Sequence, residues 1–99
     1  MVVVGQIGVG YWGPNLLRNL NANKNCRIKL VVDSSEERRQ FVKRLYPSIE
    51  VSKNFTQLLD DEEINAIVIA TPVKTHFEFA LKALKFGKHV LVEKPMALQ

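Results

Sequence analysis

The chain has 99 residues, of which 46% are hydrophobic and 24% charged, a composition typical of one ordinary globular domain. No stretch approaches the roughly 20 apolar residues of a membrane-spanning helix, and no basic segment opens the chain as in a signal peptide. The single cysteine, Cys26, excludes an internal disulfide and, with two distant histidines, forms no recognisable metal-binding pattern. We therefore expect a cytoplasmic protein with no metal site and no membrane partner.

The net charge of +4 raises the question of nucleic-acid binding. The basic residues are not gathered into one patch, however. Those of the densest group alternate with acidic and apolar residues: Arg38, Arg39, Lys43 and Arg44 are interleaved with Glu36, Glu37, Phe41, Val42 and Leu45. This pattern is typical of the solvated face of an amphipathic helix, so we expect no nucleic-acid partner.

The first half of the chain alternates between short β-branched segments and segments of helical periodicity. The pattern predicts a strand from Val2 to Gly8, a helix from Pro14 to Asn23 and a strand from Arg27 to Asp33. The helix that follows can be capped by Ser34 or Ser35, has acids in its first turn and ends near Pro47.

The same alternation continues in the second half. It predicts a strand from Ile49 to Ser52, a short helix through Leu59 capped by Asn54 or Thr56, an apolar strand from Ala66 to Ala70, a helix from Val73 to about Phe86, and a strand from His89 to Glu93. Gly87 is placed to end the last helix.

The helix from Val73 to Phe86 has the clearest amphipathic pattern. Its apolar positions at helical spacing are Phe77, Ala80, Leu81 and Leu84, and its polar positions are Lys74, Glu78, Lys82 and Lys85. The pattern predicts that the first set contacts the sheet and that Glu78 pairs with Lys82.

Repeated strand-helix-strand units with short links predict an α/β fold. The expected architecture is a Rossmann-type, doubly wound parallel sheet with helices on both faces, a three-layer αβα domain that spans residues 1–99. We find no internal repeat, linker or low-complexity segment.

The stretch IGVGYWGPN, from Ile7 to Asn15, predicts a dinucleotide site between the first strand and first helix. Gly8, Gly10 and Gly13 have the spacing needed for a tight turn, close backbone approach to a diphosphate and helix-to-strand packing. Pro14 suits the first helical turn, where its missing N–H has no intrahelical partner. The remaining amides and the helix dipole favour an anion. Tyr11 and Trp12 fill the variable positions and are expected to shield the diphosphate.

Asp33 ends the second predicted strand 20 residues after Gly13. A carboxylate there can accept hydrogen bonds from the adenosine ribose hydroxyls and repels a 2′-phosphate, so we expect NAD rather than NADP. Ser34 follows where an NADP site often has an arginine, although Arg38 and Arg39 lie one turn further on. The alternative is that Asp33 only caps the next helix.

Two further strand ends carry polar residues where ligands bind in open α/β sheets. The strand from Ala66 is followed by Thr71 and Pro72, and the helix after it carries His76, which either flanks the cofactor or makes a local hydrogen bond. The last strand is followed by Glu93 and Lys94. A charge pair and Pro95 after a buried strand are more than a simple surface turn requires.

The segments GVGYWG, ATPVKTH and GKHVLVEKPMA resemble the Gfo/Idh/MocA oxidoreductases, a family named for glucose-fructose oxidoreductase and inositol 2-dehydrogenase. The resemblance implies an NAD-binding Rossmann domain of an enzyme that transfers hydride between nicotinamide and a sugar, sugar derivative or nucleotide sugar. It further implies that Lys94 reaches the nicotinamide and substrate region. Family members carry a second, substrate-binding domain, which we expect to be absent from this chain, and we expect a homo-oligomer at full length.

Two alternatives remain open at this point. A non-catalytic NAD-sensing module would need Gly8, Gly10, Gly13 and Asp33 but would have no use for Lys94. A methyltransferase of similar topology usually lacks the third glycine. In an oxidoreductase, Lys94 is the candidate for hydrogen-bonding the substrate oxygen or accepting the hydroxyl proton, since burial beside a cationic ring favours its neutral form. The alternative is that Lys94 only pairs with Glu93 or binds the cofactor amide, while a group from the substrate domain acts as base.

Overall fold

The computed structural model describes residues 1–9, 13–71 and 73–92 of the chain. The elements follow in the order β1 (Val2–Ile7), α1 (Gly13–Ala22), β2 (Cys26–Val32), α2 (Glu36–Leu45), β3 (Glu50–Ser52), α3 (Thr56–Asp60), β4 (Ala66–Ile69), α4 (Val73–Lys85) and β5 (His89–Val92). Each lies where the periodicity predicts it, with ends that differ by a few residues at most.

The strands of the described residues form one parallel sheet in the order β3-β2-β1-β4-β5. The chain starts at the central strand β1, builds outward through β2 and β3, and then crosses to the other side of β1 for β4 and β5. The order therefore reverses between β1 and β4. In such sheets the ligand crevice lies beyond the carboxyl ends of the strands at this switch point.

Helices cover both faces of the sheet, as two separate core clusters demonstrate. On one face, Leu17 of α1 and Val42 of α2 are fully buried with Val31 of β2. On the other, Leu58 of α3 and Ala83 of α4 pack in the second cluster. The predicted doubly wound, three-layer αβα architecture is thus confirmed.

The helix caps agree with the sequence only in part. Ser35 caps α2, because its Oγ accepts a hydrogen bond from the Arg38 amide at 3.3 Å. For α3, the predicted cap by Asn54 or Thr56 is wrong. Phe55 precedes this helix with helical angles (φ −59°, ψ −33°), and no side chain caps it. The Asn54 backbone carbonyl, not its side chain, accepts the amide of Gln57.

The prediction that Phe77, Leu81 and Leu84 contact the sheet is also wrong. These side chains are 76%, 43% and 60% exposed. The fourth residue of the predicted set, Ala80, does pack against the core on this face of the sheet, together with Phe79 and Ala83.

The physical reason is close approach. Ala83 is fully buried, and its small side chain lets the α4 backbone lie near the strands. Phe79 packs edge-on against Phe55, with ring centroids 4.6 Å apart at 61°. The predicted pair on the polar side does form, with Lys82 Nζ 3.3 Å from Glu78 Oε1.

Across the described ranges, no helix combines the length and the apolar character that a membrane crossing requires.

Candidate functional site

Gly8 brings the ends of β1 and β4 into contact. It follows β1 with φ +94°, a conformation that side chains of L-residues rarely adopt. A Cβ atom at this position would lie 2.7 Å from the Ala70 carbonyl oxygen and 2.8 Å from Thr71 Cγ2. Glycine is therefore required here both by conformation and by space, as expected for the first glycine of the loop.

Asp33 lies directly after β2, and only 6% of its surface is exposed. Its carboxylate accepts two backbone hydrogen bonds, from the Val9 amide to Oδ2 and from the Ser35 amide to Oδ1, both at 2.8 Å. Within the part of the chain that the structure describes, Asp33 forms no ion pair. The cap of α2 is Ser35, so the alternative that Asp33 serves as that cap does not hold.

Arg39 lies beside this acid. Its Nη1 donates a hydrogen bond to the Asp33 backbone carbonyl at 2.7 Å, which holds the guanidinium group at the carboxyl end of β2. Ser34, the other residue predicted to contact the cofactor here, is exposed. The structure thus places a positive charge near the position where an adenosine ribose is expected, which bears on the choice between NAD and NADP.

The end of β4 carries a small hydrogen-bonded group. Thr75 Oγ1 donates to Thr71 Oγ1 at 2.7 Å, and His76 Nε2 contacts the Thr71 carbonyl oxygen. Because a carbonyl only accepts, Nε2 must carry a proton, so in the neutral ring Nδ1 is the acceptor. His76 therefore makes the local hydrogen bond that the sequence left as an alternative to cofactor contact.

The fold brings together several of the predicted site residues. Gly8, Asp33 and Thr71 surround the carboxyl ends of β1, β2 and β4, with His76 one turn into α4, and Gly13 begins α1 as predicted. The other predicted residues lie outside the described residues: Gly10, Tyr11, Trp12, Pro72, Glu93 and the candidate catalytic residue Lys94.

The sequence interpretation missed Gln6. This side chain is fully buried in β1, and its Nε2 donates to the Gly8 carbonyl at 2.9 Å. The available signal was a single amide side chain in an otherwise apolar strand, two residues before the glycine loop.

One residue of the GKHVLVEKP segment, Lys88, lies at the amino ends of the strands, away from the carboxyl ends. Lys88 is 8% exposed, and its Nζ donates to the backbone carbonyls of Asp61 and Ile64 at 2.6 and 2.8 Å. Lys88 therefore ties the turn before β4 to the start of β5. Its role is structural and separate from the carboxyl ends of the strands.

Comparison with known proteins agrees with this geometry. Residues 2–99 match the family GFO_IDH_MocA, described as an oxidoreductase family with an NAD-binding Rossmann fold. A 2,7-anhydro-N-acetylneuraminate hydratase of Escherichia coli strain K12 is 36% identical over 98 residues, which cover 99% of this chain and 26% of that protein. Inositol 2-dehydrogenase 2 of Saccharopolyspora erythraea is 37% identical over 95 residues, which cover 95% of this chain and 28% of that protein.

The crystal structure of GenD2 from gentamicin A biosynthesis, in complex with NAD, superimposes with a TM-score of 0.88 at 29% identity. The superposition covers 98% of this chain and 28% of GenD2. The chain thus spans about a quarter of the length of the curated relatives it matches. From the match over nearly all its residues, the chain belongs to the Gfo/Idh/MocA oxidoreductase family, of which it contains the NAD-binding Rossmann fold.

Proposed function

We propose that the chain holds NAD across the carboxyl ends of β1, β2 and β4 for hydride transfer with a hydroxyl-bearing carbon of a sugar, sugar derivative or nucleotide sugar. One relative is named an inositol dehydrogenase, which supports a polyhydroxylated substrate. Another is named a hydratase, so hydride transfer need not be the net reaction. NAD, when bound, supplies a hydride acceptor at the nicotinamide ring.

Asp33 is the observation that carries the proposal. An ionised carboxylate has about four acceptor sites. Two backbone amides, those of Val9 and Ser35, use part of this capacity and fix the orientation of the group. The rest suits the two hydroxyls of an adenosine ribose, the expected role of an acid at the end of the second strand.

The diphosphate is assigned to the glycine loop and to the start of α1. Gly8 allows the close packing of β1 against the end of β4, and Gly13 begins the helix whose dipole favours an anion. Gly10, Tyr11 and Trp12 would complete this part of the site.

The nicotinamide end is assigned to the last strand ends. Thr71 and Pro72 would flank the ring, with Glu93 and Lys94 on the neighbouring strand end. His76 is held at the Thr71 carbonyl by its local hydrogen bond and is not assigned a cofactor contact. Oxidation of a hydroxyl-bearing carbon requires removal of the hydroxyl proton as the hydride leaves. In this proposal Lys94 hydrogen-bonds that hydroxyl or accepts its proton.

Calorimetric titration of NAD, NADP and S-adenosylmethionine onto the chain tests the proposal. We expect saturable NAD binding and no binding of S-adenosylmethionine. NADP should bind roughly tenfold more weakly, since Asp33 repels a 2′-phosphate. The margin is not larger because Arg39 lies nearby.

A matched pair of variants assigns the effect to Asp33. Asp33→Ala should weaken NAD binding by about 10- to 100-fold, the value of hydrogen bonds to a charged group. Glu37→Ala removes an exposed acid in the first turn of α2 and should leave the affinity unchanged. Absence of NAD binding, or tighter binding of S-adenosylmethionine, would contradict the proposal.

A further inference from the structure

Gln6 is an unusual residue for the centre of a parallel sheet. It lies in β1 between two neighbouring strands, opposite Val31 of β2 and Val68 of β4, and is fully buried. Burial of a side-chain amide is unfavourable unless its hydrogen bonds are replaced, and an apolar residue would fill the position at no such cost. The energetic disadvantage indicates that the amide has a use.

That use is visible in its contact with the glycine loop. Gln6 Nε2 donates to the Gly8 carbonyl oxygen at 2.9 Å. The amide of the next residue, Val9, donates to Asp33 Oδ2 at 2.8 Å. These two atoms belong to the same peptide group, so its carbonyl and its N–H are each held by a buried side chain from a different part of the fold.

This peptide group is the one that most needs to be held. Gly8 has φ +94°. Because glycine has access to a wide range of backbone angles, the residue itself does not fix the orientation of the peptide that follows it. The Gly8 amide is fixed by the Val32 carbonyl at 2.8 Å. Beyond it, the two side chains determine the direction in which the chain leaves β1.

We infer that Gln6 is a positioning residue for cofactor binding: together with Asp33 it fixes the Gly8–Val9 peptide, and so the start of the loop that receives the diphosphate. The inference rests on the proposed function, and it gives Asp33 a second role besides ribose recognition. Gln6 acts through the loop backbone and is not assigned a contact with the cofactor.

The test compares Gln6→Met with Val4→Ala. Methionine keeps the length of the side chain but removes the donor. Val4→Ala removes buried apolar volume from the same strand without touching the Gly8–Val9 peptide, so it controls for lost stability. Affinities for NAD, ADP-ribose and adenosine are measured for each variant at a temperature where it is fully folded.

We expect Gln6→Met to weaken NAD and ADP-ribose binding by about five- to tenfold, the value of one buried hydrogen bond. Adenosine, which lacks the diphosphate, should bind as it does to the unaltered chain. Val4→Ala should leave all three affinities unchanged. Unchanged NAD binding in Gln6→Met, or an equal loss in Val4→Ala, would overturn the inference.

A second measurement separates this inference from the proposed function. Hydrogen exchange of the Val9 amide, in the absence of ligand, reports only on how firmly Gln6 and Asp33 hold the Gly8–Val9 peptide. Exchange should be faster by about tenfold in Gln6→Met than in Val4→Ala. If the unaltered chain fails to bind NAD, the proposed function fails while this comparison still decides whether Gln6 fixes the peptide; equal exchange in both variants would show that it does not.

Discussion

Charged groups at the amino ends of the strands are held differently from those at the carboxyl ends. Around the turn before β4, at the amino ends of the strands, Lys29 Nζ lies 2.7 Å from Asp61 and 3.1 Å from Glu63, and Lys88 is bound to two backbone carbonyls. At the carboxyl ends, the Asp33 carboxylate is equally well held, but by backbone amides, and among the described residues it forms no ion pair.

The difference separates charges with a structural role from the acid that we propose binds the cofactor. Around the turn before β4, Lys29, Asp61 and Lys88 are balanced by opposite charges or by backbone carbonyls, so this arrangement is complete without a ligand. At the carboxyl ends, a nearly buried acid accepts two backbone hydrogen bonds, which use only part of its acceptor capacity. Substitutions at the amino ends of the strands should therefore change stability alone, and substitutions at the carboxyl ends should change cofactor binding.

The largest effect is expected for Gly8→Ala. The added Cβ would clash with backbone atoms of Ala70 in a conformation unfavourable for alanine, and we expect a loss of about 3 kcal/mol or more in unfolding free energy. Gly87→Ala is the matched control, since Gly87 also has a positive φ, +75°, but no atom within 4 Å of an added Cβ. It should cost only about 1 kcal/mol.

Urea denaturation measures the unfolding free energy of both glycine variants. NAD affinity is then measured by titration for each variant that is folded. Gly8→Ala should also abolish binding, whereas Gly87→Ala should bind normally. Equal costs for the two substitutions would mean that the contact between the ends of β1 and β4 is not as close as described.

Lys88→Met is expected to have the next largest effect. The substitution retains the apolar stem but removes the donor to the carbonyls of Asp61 and Ile64. We expect a cost of about 2 kcal/mol, since the buried Ile64 carbonyl loses this hydrogen bond while the Asp61 carbonyl keeps the one from the Ile64 amide. Lys85→Met, at an exposed position of α4, serves as control and should change stability little. NAD affinity should be unchanged in both. A selective loss of NAD affinity in Lys88→Met would show that the amino ends of the strands also take part in cofactor binding.

The smallest effect concerns acid stability. The hydrogen bond from Lys29 lowers the pKa of Asp61 below its ordinary 3.8. A lowered pKa means that the carboxylate stabilises the fold above pH 3.8 and loses this contribution as the pH falls through the folded-state value. Asp61→Asn should lower the unfolding temperature by about 2 °C at neutral pH, since both partners of the pair with Lys29 are partly exposed and solvent weakens their attraction.

The control for this prediction is Asp60→Asn, at an exposed position one residue earlier. Thermal unfolding measured at successively lower pH below 3.8 should show the difference between Asp61→Asn and the unaltered chain becoming smaller. A difference that persists in acid would indicate that Asp61 stabilises the fold by something other than its charge.

Much of the fold could be predicted from sequence because local signals agreed with the tertiary structure. Gly8, Gly13 and Asp33 occupy positions set by strand ends, which the change from short apolar runs to helical periodicity marks clearly. The failure at α4 shows the limit. Apolar residues lie on both sides of Ala80 around the helix, and only packing reveals that the side with Phe79 and Ala83 contacts the sheet.

The candidate site was harder to predict in detail than the fold. Residue types indicated a dinucleotide site, yet the Gln6 contact depends on the orientation of the Gly8 carbonyl, which no sequence pattern encodes. The position of Arg39 at the Asp33 carbonyl similarly depends on the path of the chain between β2 and α2.

The most direct test of the account follows the backbone amide resonances of the chain by NMR during addition of NAD. We expect shifts for Val9, Ser35 and Thr71, at the carboxyl ends of the strands, and none for Asn65 and Lys88 at the amino ends. Shifts centred on the amino ends of the strands, or no shifts at saturating NAD, would show that the cofactor is not bound by Asp33 at the carboxyl ends.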